Sequence, residues 1–243
     1  FGISRYTLDF KLAEIAMKEG IDLRDNTRVD KISYINNGFE IQAGGDTIFS
    51  LLAVGAFGKR SNLDIKLNRS FIKHIQPPEK NYIGVKYHIL TDLQAHTIEL
   101  HNFKDGYCGV SKVDGNKYCL CYLTTAKNLQ GAGSIKNMEE KVLMKNKFIR
   151  TYFNEATFLF DSPVVISQIN FSPKTRVENH ILFAGDSAGL ITPLCGNGMS
   201  IGLHASKILS NLILKYLAGE LTREMLEREY EIKWKKIFET RLT

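Results

Sequence analysis

Fifteen residues, GDSAGLITPLCGNGM from Gly185 to Met199, combine one carboxylate with a large amount of bare backbone. They lie between a short apolar run, which predicts a strand, and a long amphipathic run, which predicts a helix. An acid that ends a strand lies at the edge of a sheet where α/β folds bind ligands. The carboxylate of Asp186 would accept hydrogen bonds from ribose or ribityl hydroxyls and would repel a phosphate.

The second half of this stretch, from Cys195 to Met199, opens the predicted helix. Backbone amides at a helix N-terminus carry the positive end of the helix dipole. They would stabilise a planar heterocycle that gains negative charge on reduction. A flavin meets both demands, with its ribityl chain at Asp186 and its pyrimidine edge at the amides of Gly196 to Met199. The alternative interpretation is a glycine-rich turn before a structural helix, because such turns are common.

Helices are predicted near both ends of the chain. Apolar residues recur at helical spacing from Tyr6 to Glu19, and Gly20 provides a stop. A longer helix is predicted from Ile201 to Leu217, and Thr222 caps a last helix that carries Trp234. Each helix is amphipathic, so each is expected to bury one face.

Strands are predicted in two groups. Alternating runs before residue 70 predict a small meander, whose last strand, about Ile48 to Val54, is expected to be buried on both faces. From about Phe71 to Phe171, further strand-like runs and one helical run, about Met138 to Phe153, predict a separate and mainly antiparallel sheet. We interpret this sheet as an insertion between two halves of another domain.

The composition is typical of a globular chain with a core. The 243 residues are 44% hydrophobic and 24% charged, and no apolar stretch approaches the roughly 20 residues that cross a bilayer. A cytoplasmic location is therefore expected. The net charge of +6 permits peripheral contact with an acidic membrane surface. Because the basic residues are scattered and match no recognition motif, nucleic acid is not an expected partner. The oligomeric state is not indicated.

The four cysteines, Cys108, Cys119, Cys121 and Cys195, have no paired CxxC spacing. Neither a disulfide framework nor a zinc site is predicted from them. Cys119 and Cys121 share one face of a predicted strand, and we interpret them as small buried side chains. The histidines also have no spacing that predicts a metal site.

The stretch ILFAGDSAGLITPLCGNGMSIGLHASKIL is similar to the C-terminal flavin fingerprint of the FAD-dependent oxidoreductases related to p-hydroxybenzoate hydroxylase. Within that superfamily it most resembles the geranylgeranyl reductase branch. The resemblance implies FAD as cofactor and NAD(P)H or another reductant as electron donor. The residues that it assigns to the cofactor are Gly185, Asp186, Pro193, Gly196, Asn197, Gly198 and Met199.

Two further segments resemble family motifs in the expected order. SRYTLDFKLAEIAMKEG is similar to the R-x-x-L-D-x-x-L helix, in which the arginine, here Arg5, lies near the ribityl and phosphate region of the flavin. AVGAFGKRSNL resembles the segment G-A-D-G-x-x-S, whose backbone at Gly55 and Gly58 approaches the dinucleotide. Phe57 replaces the aspartate of that segment, so any hydrogen bond from the acid is lost.

The resemblance implies an α/β (α+β) fold. Residues 1–70 are expected to form part of a Rossmann-like FAD-binding domain, 71–172 an inserted antiparallel substrate domain, and 173–243 the return to the first domain with the C-terminal helices. The family's G-x-G-x-x-G turn should precede Arg5 and does not occur in the sequence. We therefore expect the chain to be a C-terminal portion of a flavoprotein that by itself is inactive and binds FAD poorly.

Three reactions are open within the family. The resemblance favours reduction of an isoprenoid or other lipid-like double bond in a small-molecule substrate, followed by aromatic hydroxylation. Halogenation is placed last because the W-x-W-x-I-P element of tryptophan-type halogenases is absent and Trp234 is the only tryptophan. A non-catalytic binding module is a further alternative. Side chains proposed to face the substrate are Tyr107, Cys108, Tyr118 and Tyr122; for the strand aromatics, core packing is the alternative. No catalytic residue is established, and the candidates are Cys195, Tyr107 and Tyr118. Cys195 would lie beside the flavin ring as a redox-active thiol, with a small loop residue as the alternative interpretation.

Overall fold

The computed structural model describes residues 2–59, 61–73, 81–169, 171–190 and 198–239. Its helices and strands, in chain order, are α1 (Arg5–Lys18), β1 (Val29–Ile35), β2 (Gly38–Ala43), β3 (Asp46–Ser50), β4 (Val54–Gly55), α2 (Asn62–Lys66), β5 (Tyr82–Leu90), β6 (Ile98–Phe103), β7 (Gly106–Lys112), β8 (Tyr118–Thr125), α3 (Ala126–Ala132), α4 (Ile135–Lys141), α5 (Lys147–Glu155), β9 (Thr157–Phe158), β10 (Val164–Ile169), β11 (Val177–Glu178), β12 (Ile181–Phe183), α6 (Gly198–Leu217) and α7 (Arg223–Phe238). The mixed α/β class with antiparallel sheets and C-terminal helices is thereby confirmed.

The chain divides into two compact units. The first unit comprises Phe1–Arg24 and Gln76–Asn170, and the second comprises Asp25–Ile75 and Phe171–Thr243. The first 24 residues thus group with the middle of the chain, whereas the sequence placed them with residues 25–70. The functions assigned to the predicted domains stay predictions.

An antiparallel sheet forms the centre of the first unit. Its strand order is β10-β5-β8-β7-β6, and β9 pairs with the end of β5. Alternate residues of the central strands point to one face, where they form a core with α3, α4 and α5. Leu120 of β8 and Val110 of β7 are fully buried there. The antiparallel sheet that strand alternation predicts is therefore confirmed.

The single helical run predicted from about Met138 to Phe153 is wrong, because this region contains the end of α4, a 3₁₀ turn and most of α5. Gly133, at φ +80°, ends α3, and its left-handed conformation stops the helix from continuing. A 3₁₀ turn, Leu143–Lys145, then separates α4 from α5. Asn146 starts α5 by accepting a hydrogen bond from the Phe148 amide at 3.0 Å.

Helix α1 has nearly the predicted bounds, but the expected burial of one face is wrong. None of its residues is buried, and the side chains of Phe10 and Ile15 are 53% and 56% exposed. Its start is fixed to the β7–β8 turn of the same unit. The Ser4 amide donates to Asp114 Oδ1 at 3.2 Å, and the Thr7 hydroxyl donates to Asp114 Oδ2 at 3.0 Å.

A carboxylate lies within the core of the first unit. The hydroxyls of Tyr87 and Tyr122 donate to Glu139 Oε1 at 2.8 and 2.7 Å. Burial raises the pKa of Glu139, although both hydrogen bonds act in the opposite direction. Glu139 therefore holds its proton to higher pH in the folded protein than in the unfolded chain.

This raised pKa predicts how stability depends on pH. Protonated Glu139 stabilises the fold fully below its unfolded pKa, and that stabilisation is lost as pH rises through the folded pKa. We expect Glu139→Gln to gain stability relative to the parent protein as the pH rises above about 4, the usual pKa of a glutamate. Urea unfolding at several pH values measures this, with Glu155→Gln, at an exposed glutamate of α5, as control. A difference that is constant across these pH values would contradict the prediction.

The second unit contains two small sheets and the C-terminal helices. Strands β1, β2 and β3 form an antiparallel meander, and a separate sheet has the order β11-β12-β4 with β4 and β12 parallel. The buried strand predicted from Ile48 to Val54 is wrong. Strand β3 ends at Ser50, Phe49 is 70% exposed, and the chain then crosses to the other sheet at Val54.

Both predicted C-terminal helices are confirmed. Helix α6 buries Ile201, Ala205, Leu209 and Leu212 at helical spacing. The hydroxyl of Thr222 caps α7 by accepting from the Met225 amide at 3.3 Å. Among the described residues, no helix has the length and apolar composition that a bilayer crossing requires.

Candidate functional site

The ends of two parallel strands in the second unit bring together three of the predicted site residues. Strand β4 ends at Gly55, and the Ala184 amide that follows β12 donates to the Gly55 carbonyl at 3.1 Å. A single 3₁₀ turn, Gly185–Ser187, comes next, and Gly185 adopts φ +61° there. Asp186 therefore lies at the carboxyl ends of adjacent parallel strands, where α/β sheets bind ligands.

Ser187 fixes this turn to the neighbouring strand. Its buried hydroxyl oxygen lies 2.6 Å from the carbonyl oxygens of both Gly55 and Ala184, and it can donate its one hydrogen to either. Gly55 is required here by packing. A Cβ at residue 55 would lie 2.7 Å from Phe183 Cδ1 and 2.9 Å from Phe57 Cε1. The structure thus gives Gly55 a packing role, and its predicted approach to a dinucleotide stays a prediction.

A buried lysine joins the two loops that carry the candidate residues. Lys174 is 3% exposed, and its Nζ donates to the Lys59 carbonyl at 2.7 Å and to the Asp186 carbonyl at 2.8 Å. Burial lowers the pKa of Lys174 to about 8. Burial also lowers the pKa of Lys59, and the negative charge of Asp186 opposes that change.

A buried arginine also holds the Asp186 turn in place. Arg69 Nη1 donates to the Ser187 carbonyl at 2.9 Å and to Asp64 Oδ1 at 3.0 Å, and its Nε donates to Glu178 at 3.2 Å. The guanidinium carbon lies 3.6 Å from the centre of the Phe183 ring. Arg69 and Asp64 are both fully buried, so the turn is held by a charge-assisted network closed to solvent.

The carboxylate of Asp186 is half-buried, and none of the described residues donates a hydrogen bond to it. The backbone around it is accessible. At Gly58, Gly185 and Gly198, apart from the chain neighbours, the described residues place no heavy atom within 4 Å of the position that a Cβ would take. Gly58 has φ +81°, which favours glycine. A carboxylate that accepts no hydrogen bond from the described residues, beside such backbone, fits a ligand that carries hydroxyl groups.

Helix α6 begins next to the same turn. A Cβ at Gly202 would lie 3.7 Å from the Cα of Gly185, so the first turns of α6 lie close to Asp186. Gly198 is the first residue of α6, and Met199 is 41% exposed. The other predicted residues of this segment lie outside the described residues and stay predictions: Pro193, Cys195, Gly196 and Asn197.

The remaining candidates lie in the first unit. Arg5 is exposed and forms an ion pair with Asp9 at 3.0 Å. Tyr118 and Tyr122 are buried on the core face of the sheet, where the Tyr118 hydroxyl donates to the Leu93 carbonyl. This is the packing role that strand alternation offers as the alternative to substrate contact.

Cys108 and Tyr107 lie on opposite faces of β7. Cys108 is fully buried in the core, whereas the half-buried Tyr107 has Leu123 as its cross-strand neighbour. The proposed substrate contacts of the first-unit residues stay predictions.

The sequence analysis missed the residues that hold the Asp186 turn. Ser61 and Asp64 form a capping box at the start of α2, and the S-x-x-D spacing could have revealed this cap. Nothing in the sequence around Arg69 or Lys174 indicates their role, because the groups that they bind are distant in sequence. Arg69 and Ser187, for example, are 118 residues apart.

No group of three or more His, Cys, Asp or Glu side chains in the part of the chain that the structure describes could hold a metal ion.

Comparison with known proteins identifies the fold. No family model matches the sequence, and no curated protein matches it. The flavin-dependent halogenase CmlS aligns over 98% of this chain and 45% of its own, with a TM-score of 0.78 and 15% identity. The halogenase PltM, solved in complex with phloroglucinol and FAD, aligns over 93% and 49%, with a TM-score of 0.74 and 15% identity.

A monooxygenase shows the same likeness. PqsL, a probable FAD-dependent monooxygenase from Pseudomonas aeruginosa, aligns over 95% of this chain and 65% of its own, with a TM-score of 0.68 and 12% identity. The chain spans about half the length of the two halogenases. It therefore has the fold of a large part of the FAD-dependent halogenases and monooxygenases.

Proposed function

We propose that the second unit forms part of the FAD site of a flavin-dependent oxidoreductase. One observation carries this proposal: the carboxylate of Asp186, which accepts no hydrogen bond from the described residues, is held at the ends of two parallel strands, beside the start of α6. The likeness in fold to FAD-dependent enzymes supports it independently.

The residues present have part of the chemistry that FAD requires. Asp186 would accept hydrogen bonds from the ribityl hydroxyls, and the amides at the start of α6, Gly198 and Met199, would face the pyrimidine edge. Gly58 and Gly185 would leave room for the dinucleotide, and Lys174 would keep the Asp186 turn in place. When bound, FAD supplies the electron-transfer chemistry, and the protein positions the substrate and excludes water.

Further assignments rest on the sequence motifs alone. By those motifs, Tyr107 would contact the substrate, and Arg5 would lie near the ribityl and phosphate region of the flavin. Pro193, Cys195, Gly196 and Asn197 belong to the sequence stretch assigned to the cofactor.

For the reaction, we propose reduction of an isoprenoid or other lipid-like double bond in a small molecule. Support comes from the resemblance of the segment around Asp186 to the geranylgeranyl reductase branch. NAD(P)H or another reductant would be the electron donor. The net charge of +6 is compatible with peripheral contact at an acidic membrane surface.

Oxidative chemistry is the second candidate, and the structural neighbours favour it. CmlS and PltM are described as halogenases, and PqsL as a probable monooxygenase. Hydroxylation or halogenation would follow if reduced flavin reacts productively with oxygen. The single tryptophan, Trp234, is buried in α7, so a W-x-W-x-I-P element has no place in this chain.

The visible absorption spectrum tests the proposed cofactor. The protein is purified, and spectra are taken before and after addition of FAD. We expect a flavin band that appears on addition of FAD and that dithionite bleaches. If no flavin is taken up, Asp186 belongs to a structural turn, and the binding-module alternative replaces the proposed function.

Oxygen dependence separates the two reactions. In an anaerobic arm, the flavin-loaded protein is supplied with NADPH and an isoprenoid diphosphate. In an aerobic arm, it is supplied with NADPH, oxygen, a phenol and bromide. A saturated isoprenoid product in the anaerobic arm supports reduction. Hydroxylated or brominated phenol, formed only with oxygen, supports the second candidate.

A further inference from the structure

Two cysteines of the first unit lie together on the face of the sheet that α3 to α5 leave uncovered. Cys119 and Cys121 are two residues apart in β8, so they point to the same side, while Leu120 between them is fully buried on the other. Cys121 is exposed and Cys119 is half-buried. The interpretation of both as small buried side chains is therefore wrong for Cys121.

The cross-strand neighbours of Cys121 differ on its two sides. On β5, Lys86 is directly opposite Cys121, and on β7 the opposite residue is Gly109. Directly opposed side chains in a sheet lie close enough to interact. Lys86 therefore places a positive charge beside the sulfur. Gly109 has no side chain, and Leu100 of β6 lies over it, with its Cδ2 3.3 Å from the position that a Cβ would take.

The charges that face Cys121 favour its ionised form. The hydrogen bond from the Cys119 thiol and the positive charge of Lys86, against the opposing effect of burial, together lower the pKa of Cys121 to about 7. Across from Cys119 lies His88, whose pKa is lowered by burial and by Lys86 and Lys117, while β7 contributes the uncharged Gly109 and Ser111. The pKa of Cys119 is raised in turn, so one proton stays on Cys119.

Cys108 provides the internal contrast. It is 0% exposed on the core face of the same sheet, and burial raises its pKa. A buried thiol with a raised pKa is inert, whereas an exposed thiolate next to a lysine is the reactive type. The sheet thus places one protected and one accessible cysteine on its two faces.

We infer that Cys121 is a nucleophilic thiol that undergoes exchange with small disulfides, such as oxidised glutathione. The Cys121 thiolate attacks one sulfur of the disulfide, and the disulfide bond breaks as the new sulfur–sulfur bond forms. The other half leaves as a thiolate that takes a proton from water. Cys121 is thereby oxidised and the released thiol is reduced. This inference is independent of the proposed flavin chemistry.

The rate of this exchange should have a distinctive dependence on pH. At pH 6, a thiol of pKa about 7 has about 30 times the thiolate fraction of an ordinary thiol of pKa about 8.5. Its lower basicity reduces the reactivity of each thiolate about fivefold, so a rate advantage of about sixfold remains. Above about pH 8 the rate should be constant, while that of an ordinary thiol still rises.

Mass spectrometry with oxidised glutathione tests the inference from pH 5.5 to 9. We expect one adduct per chain, mapped to Cys121 and absent in Cys121→Ser, with a midpoint near pH 7. Lys86→Met should raise the midpoint and slow the reaction at pH 6 several-fold. Lys104→Met, which changes a lysine in the β6–β7 turn, should leave both unchanged.

Three results would overturn the inference. These are first modification at another cysteine, a midpoint between pH 8 and 9, or equal effects of Lys86→Met and Lys104→Met. The pH profile of the unaltered protein decides the matter even if a variant fails to fold.

Discussion

Replacing Arg69 by leucine is expected to lower the free energy of unfolding by about 3–5 kcal/mol, because it leaves buried charge without its partner. Asp64 is 0% exposed and would lose the hydrogen bond from Arg69 at 3.0 Å. The Ser187 and Thr175 carbonyls would lose their donors at the same time. Urea unfolding followed by circular dichroism measures the loss.

Two companion variants make this experiment specific. Arg28→Leu removes an exposed arginine that pairs with Asp30 at 3.2 Å, and it should cost less than about 1 kcal/mol. Adding Asp64→Asn to Arg69→Leu removes the orphaned charge and should recover part of the loss. Equal effects of Arg69→Leu and Arg28→Leu would show that the buried network does not hold the turn.

Replacing Asp186 by alanine is expected to weaken FAD binding about 10-fold to 100-fold. A hydrogen bond to a charged group contributes about 1.5–3 kcal/mol, which corresponds to this range of affinity. Asp186→Asn keeps an acceptor oxygen without the charge and should have an intermediate effect. Titration of the purified apoprotein with FAD, followed by flavin fluorescence, gives the dissociation constants.

Stability has to be measured in parallel, because a disordered turn would also lose FAD. Asp186 donates and accepts no side-chain hydrogen bond among the described residues, so its removal should change the free energy of unfolding by less than about 0.5 kcal/mol. Asp25→Ala, at an exposed acid of the same unit, should leave both FAD affinity and stability unchanged. Unaltered affinity in Asp186→Ala would remove Asp186 from the proposed site.

The sequence by itself determined the elements that depend on local periodicity. Alternation with a period of two predicted the antiparallel strands β5 to β8, and the 3.6-residue period predicted α6 and α7, because each pattern describes which side chains share a face. The caps at Ser61 and Thr222 are equally local, since the side chain bonds an amide two or three residues away. The turn at Gly185 and Asp186, which follows β12, was also predicted from local sequence.

Only the tertiary structure decided how distant segments hold the Asp186 turn. Lys174 and Arg69 meet the turn through carbonyl groups, and a backbone carbonyl leaves no trace in the residue type of its partner. Tertiary packing also decided which face of β8 is covered. The helices α3 to α5 bury Tyr118 and Tyr122 and leave Cys121 exposed. The alternation of residues along β8 shows which side chains share a face, but it does not show which face the helices cover. Local sequence therefore specified the strands and helices, while contacts between remote residues specified the candidate site.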